Sequence, residues 1–117
     1  MQYIFIETSE FSEWVRTYLD DDDLSVLQRD LLTDPRRGAV MPGCGGLRKL
    51  RLADPRRGKG KRGGARVVYL VIEELRQIHL ITIYGKDQKD DLSAQDRELY
   101  RQFVRLLKDQ ARTLRED

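Results

Sequence analysis

The sequence predicts a single α+β domain over residues 1–117, with elements in the order β-α-α-β-β-β-α around one small sheet. Three observations carry this expectation. Two short amphipathic helical patterns sit side by side before residue 35. Two apolar strand patterns, at 66–72 and 78–84, are joined by a turn with no helix between them. A long helical pattern closes the chain after Ser93. With 117 residues the chain has the length of one ordinary domain and no room for two.

Tyr3-Ile4-Phe5-Ile6 is an aromatic and β-branched run, the pattern of a strand. Thr8 or Ser9 then caps a helix whose apolar positions Phe11, Trp14, Val15, Tyr18 and Leu19 recur at helical spacing. Asp20 to Asp23 place carboxylates at the positive end of a second helix, with Leu24, Leu27, Leu31 and Leu32 on one face. Asp34-Pro35 stops it, because the residue before proline avoids the α region. Two such helices in a row form a hairpin that must cover a sheet.

A glycine-rich loop, Gly38 to Gly46, leads into the strand Leu47–Leu52, whose parity sets Arg48, Leu50 and Leu52 against Lys49 and Arg51. A second loop, Asp54 to Gly64, precedes Arg66–Ile72 and, after the turn Glu73–Arg76, Ile78–Tyr84. Strands apolar on both parities are covered on both faces. Ser93 and Asp96 form a capping-box pattern for a helix running to about residue 115. Leu99, Phe103, Leu106, Leu107 and Leu114 mark one side of it; Arg97, Arg101, Arg105, Lys108, Arg112 and Arg115 mark the other, a pattern more often a solvated face than a contact to RNA.

The net charge of +2 hides a strong asymmetry. Residues 1–35 carry nine acids against two Lys/Arg, and residues 67–117 are nearly balanced. Residues 36–66 carry eleven Lys/Arg against one acid. A basic block this dense in a small domain attracts polyanions, nucleic acid above all, with steep salt dependence. The single cysteine, Cys44, excludes an internal disulfide and a thiolate-rich metal site, and fits a reducing compartment. No signal-peptide pattern and no run of about 18 apolar residues occurs, so a soluble cytoplasmic domain without a membrane partner is expected.

Three segments together carry a resemblance that spans nearly the whole chain. They are Gly45-Gly46-Leu47-Arg48-Lys49-Leu50-Arg51, Gly58-Lys59-Gly60-Lys61-Arg62-Gly63-Gly64-Ala65-Arg66-Val67-Val68-Tyr69 and Ile81-Thr82-Ile83-Tyr84-Gly85-Lys86. In these the chain resembles the HigB branch of the RelE-type toxins of type II toxin–antitoxin systems. The resemblance implies a microbial RNase-like fold: a small, mainly antiparallel sheet with two N-terminal helices on one face and a substrate surface on the other. It also implies a ribosome-dependent mRNA endoribonuclease, acting in the ribosomal A site and held inactive by a cognate helix-turn-helix antitoxin. The toxin itself is expected to be monomeric.

Cleaving RNA without a metal requires a base for the ribose 2′-OH, donors for the phosphorane and an acid for the leaving 5′-oxygen. His79 is the only histidine, and its parity with Ile81 and Ile83, opposite Tyr84 and Lys86, marks a packed side chain. The chemistry must therefore run on Lys, Arg and Tyr. Neither a metal nor another cofactor is expected, since Asp87, Asp90 and Asp91 share one turn without ligand spacing. Arg66 opens an apolar strand just after Gly63-Gly64, and its rigid fork suits a phosphoryl group. Lys86 is expected to hold phosphate, and Tyr84 to stack on a base or donate a proton. Lys61, crowded by cations, is the candidate base or a phosphate contact. Lys59 and Arg62 share its loop, and Lys49 and Arg51 share one strand face, as RNA-binding positions. Two rivals remain open: a ParE-like DNA gyrase poison, which shares the fold, and an RNA-binding module without catalysis.

Overall fold

A computed structural model describes residues 2–52, 64–85 and 92–116. The elements are β1 (Ile4–Glu7), α1 (Ser9–Tyr18), α2 (Asp21–Thr33), β2 (Ala39–Val40), β3 (Arg48–Arg51), β4 (Ala65–Ile72), β5 (Gln77–Gly85) and α3 (Ala94–Glu116). The expected order holds, with one addition: two residues of the first glycine-rich segment pair with β3 as the edge strand β2. The sheet runs β1-β5-β4-β3-β2; β1 is parallel to β5 and every other pairing is antiparallel.

The helix signals act where the sequence places them. Thr8 caps α1, its hydroxyl accepting from Phe11 N–H and donating to the Ile81 carbonyl at 2.6 Å, which pins the helix start to β5. Asp20 and Asp23 form a reciprocal capping box on α2, and Ser93 and Asp96 form one at the start of α3. The turn between β4 and β5 is a single 3-10 turn, Glu73–Leu75, closed by Arg76 in the left-handed region at φ 53°.

Both faces of the sheet are covered. Val67, Tyr69, Ile78, Leu80 and Ile83 pack beneath Phe11, Val15 and Tyr18 of α1 and Leu27 and Leu31 of α2. Val68, Leu70, Ile72 and Ile81 face the opposite way, against Met41, Cys44 and Leu47 and against Val104 and Ala111 of α3. The face expected to be an open substrate surface is thus partly roofed by α3. A β-bulge decides which residues join it. Val68 pairs with Thr82 but Tyr69 pairs with Leu80, so Ile81 is the extra residue on β5. The inserted residue reverses the alternation beyond it. His79 shares a face with Ile81 and Tyr84, whereas Ile83 turns to the α1–α2 side. This corrects the simple parity that groups His79 with Ile83 against Tyr84.

Two helical stripes also differ from expectation. Trp14 is 46% exposed, because α1 rests on its Phe11–Val15–Tyr18 line and Trp14 falls beside it. On α3 the inward line is Tyr100, Phe103, Val104, Leu107 and Ala111, while Leu99, Leu106 and Leu114 face solvent. The cause is the segment beneath it. At Gly45, with φ +75°, a Cβ would lie 3.2 Å from the Val104 side chain. Val104 meets the glycine turn there, and Tyr100, Phe103 and Leu107 on the same line pack into the cluster around it. Arg101 donates to the Gly43 carbonyl at 2.8 Å and Lys108 to the Gly45 carbonyl at 3.2 Å, so two of the basic residues expected to be solvated fasten α3 to the loop.

Tyr69 ties the chain before β2 to the core. Its hydroxyl accepts from Gly38 N–H and donates to the Pro35 carbonyl, both at 2.8 Å, and burial raises its pKa. Tyr69→Phe strands both backbone groups and should lower the unfolding free energy by about 1–3 kcal/mol in a denaturant titration; an unchanged midpoint would refute the anchoring role. His79 is buried with Nε2 2.9 Å from Gln77 Oε1, and desolvation lowers its pKa below the ordinary 6.5. The unfolded chain therefore takes up the proton first. Stability should be full above about pH 6.5 and decline as the pH falls from there to the lower native value. Denaturant melts at pH 7.5 and 5.5 should show that decline in wild type and lose most of it in His79→Gln.

Candidate nucleic-acid interface

The bulge and the β3–β4 register assemble a cross-strand row. Arg51 of β3 lies opposite Arg66 of β4, and Arg66 lies opposite Tyr84 of β5. Directly opposed residues in antiparallel strands point to the same face, here the α3 side. The next row on that face is Lys49, Val68 and Thr82. Four of the eight residues singled out from sequence, Lys49, Arg51, Arg66 and Tyr84, therefore converge on one end of one sheet face. Lys59, Lys61, Arg62 and Lys86 lie outside the described residues, as do Asp87, Asp90 and Asp91.

The four differ in how far they reach solvent. Arg51 is exposed, and Lys49 and Tyr84 are half-buried. Arg66 is 1% exposed, the largest fully buried side chain among the described residues. Its Nη1 donates to the Gly64 carbonyl at 2.9 Å, and it makes at least one further interaction. A buried guanidinium is held in one geometry and contributes its field to the surface above it at low dielectric. It is thus a fixed positive charge beneath the patch, and contact with a phosphate requires whatever covers it to move aside. The direct phosphate contact expected of Arg66 from its place at the strand start is therefore not open in this structure.

Tyr84 reaches into a cavity of about 560 Å³ between the sheet and the first turns of α3. Tyr100 and Phe103 line it with Tyr84, as do Thr8, Thr82, Glu10 and Asp96. Burial, reinforced by the Glu10 charge, holds the Tyr100 phenol protonated, its pKa pushed up to about 12. A smaller hollow of about 280 Å³ lies on the other flank, between Lys49, Cys44 and Arg97. Burial raises the Cys44 pKa more than Arg97 and Arg101 lower it, so the thiol stays protonated. Arg97 thereby joins Lys49 at the patch. Its position in the α3 basic stripe was visible in sequence, but its neighbour across the fold was not.

Among the described residues no cluster of three or more His, Cys, Asp or Glu could hold a metal ion, and no helix is long and apolar enough to cross a membrane. The patch offers fixed cations, phenolic hydroxyls and aromatic faces, a set suited to phosphates and unpaired bases.

Comparison with solved structures fits this architecture. A doubly substituted E. coli RelE toxin in the free state is 24% identical, with a TM-score of 0.55 over 75% of this chain and 86% of that one. A chain of the intact E. coli RelBE toxin–antitoxin complex is 23% identical, with a TM-score of 0.55 over 74% and 99%. The isolated E. coli RelE toxin is also 23% identical, with a TM-score of 0.52 over 86% and 98%. No protein-family model matches the chain. The protein has the fold of the RelE toxin.

Proposed function

We propose that this protein is the toxin of a type II toxin–antitoxin pair, of the HigB branch, and that it cleaves mRNA in the ribosomal A site. The observation that carries the reading is the Arg51–Arg66–Tyr84 row with Lys49 beside it, on a fold shared with RelE. In the proposed reaction the ribose 2′-oxygen attacks the adjacent phosphorus, and the 5′-oxygen leaves with a proton. The products are a 2′,3′-cyclic phosphate and a 5′-hydroxyl. Arg66 and Lys86 oppose the charge of the phosphorane. Lys61 or Tyr84 carries the protons. Lys49, Arg51, Lys59 and Arg62 hold flanking phosphates. No metal takes part, and the ribosome supplies the orientation that a patch of cations lacks. The partners are the ribosome, mRNA and a cognate helix-turn-helix antitoxin, and the site of action is the cytoplasm.

One observation favours a second reading, RNA binding without cleavage: the burial of Arg66. The two separate experimentally. Purified wild-type protein incubated with mRNA, with and without ribosomes, should give new ribosome-dependent 5′-hydroxyl ends. Arg66→Ala should cut about 10²–10³-fold more slowly, with circular dichroism confirming that it folds. Intact mRNA with wild type would leave binding alone, and equal cutting by Arg66→Ala would remove Arg66 from the chemistry. Lys49→Ala/Arg51→Ala should weaken RNA binding and reduce the slope of log K against log salt by about 1.4, some 0.7 per lost phosphate contact. An unchanged slope would place the RNA elsewhere.

A further inference from the structure

The cavity beside Tyr84 has no Lys or Arg among its described lining residues, yet it opens on the same sheet face as the cation row. Its volume of about 560 Å³ falls within the roughly 300–1,000 Å³ of small-molecule sites. Three aromatic rings, Tyr84, Tyr100 and Phe103, surround it, the surface on which unpaired bases stack. Its polar groups are carboxylates, phenols and the hydroxyls of Thr8, Ser9 and Thr82. Glu10, exposed in the first turn of α1, and Asp96 at the start of α3 present carboxylates, and Asp96 also accepts from Ser93 N–H. Tyr100 presents a phenol, which its raised pKa keeps as a hydrogen-bond donor.

We propose that this cavity is a guanine-selective base pocket, stacking the base on Tyr84 and Tyr100 and reading its edge with the Glu10 carboxylate. The inference rests on the RNA-directed reading above and adds the base that is read. A carboxylate is an acceptor only. Guanine alone among the four bases sets two donors side by side, N1–H and the N2 amine, which match the two carboxylate oxygens. Adenine and cytosine each set an acceptor nitrogen beside their amine, and uracil flanks its one N–H with two carbonyls. The guanine O6, next to N1, is the acceptor that a protonated Tyr100 hydroxyl can satisfy. Thr8 is committed to capping α1 and bonding Ile81, and Asp96 accepts from Ser93 N–H in the α3 capping box. The Ser9 and Thr82 hydroxyls both donate and accept and favour no base, so the discrimination falls to Glu10 and Tyr100.

The test needs no cleavage. The intact protein is titrated with GMP, AMP, CMP and UMP while the amide and ring signals of Thr82, Tyr84 and Tyr100 are followed by NMR. GMP should bind at least about tenfold more tightly than AMP, as expected for a two-point edge contact. The preference should fall several-fold in Glu10→Gln, an exposed position whose substitution leaves the core intact, and in Tyr100→Phe, which keeps the ring and removes the donor. Equal binding of all four nucleotides, or shifts confined to residues outside the cavity, would overturn the proposal. So would a preference that survives both substitutions. If the protein selects GMP but never cuts mRNA, only the nuclease reading fails; if it cuts mRNA and binds the four nucleotides alike, only the base pocket does.

Discussion

The structure depends on one ladder, β4 paired with β5 and buried on both faces. Eight residues of β4 and nine of β5 form it, and their side chains alternate between two apolar clusters. A two-stranded ribbon is marginal alone in water, and each face must bury its apolar surface against something. The α1–α2 hairpin covers one face; the Met41–Leu47 segment and α3 cover the other. Every further element takes its place from this requirement. β1 joins the β5 edge in parallel, so its C-terminal end delivers Thr8 to the Ile81 carbonyl and starts α1 against the sheet.

Covering both faces leaves little sheet for a ligand, and the bulge at Ile81 governs what remains. It lets β5 keep Ile78, Leu80 and Ile83 in one core while turning Tyr84 toward the other face beside Arg66. An unbroken alternation would bury the tyrosine under α1 and α2 and leave the arginines without an aromatic neighbour. Bulges commonly re-aim side chains near functional sites, and here the re-aimed residue links a cation row to an aromatic cavity. Lys49, Arg51 and Arg66 share that face, and Arg97 approaches it from α3. Packing cations together against low-dielectric protein focuses a positive field there.

The first glycine-rich segment has a different task from the one its composition suggests. Gly43, Gly45 and Gly46 all have positive φ, and the loop they form is a dock for α3. Val104 sits against Gly45, and the Gly43 and Gly45 carbonyls, which strand pairing leaves unused, accept from Arg101 and Lys108. Basic side chains on a helix can thus be structural donors to backbone, with their stems lying over apolar surface. Part of the basic stripe of α3 holds the fold together.

Local chemistry was enough to read much of this protein. Periodicity gave the three helices, the capping signals at Thr8, Asp20 and Ser93 gave their starts, and apolar runs on both parities gave the doubly covered strands. The alternation along β3 correctly set Lys49 and Arg51 apart from Leu50 and Leu52. These features depend on neighbours a few residues apart, and such neighbours are visible in a string of letters. The bulge at Ile81, the burial of Arg66, the outward Leu99 and Leu106 and the placing of Arg97 beside Lys49 were decided only in three dimensions. Each depends on what a distant segment occupies. A single extra residue in a ladder reverses every side chain beyond it, and the segment packed beneath a helix decides which of its apolar lines turns inward.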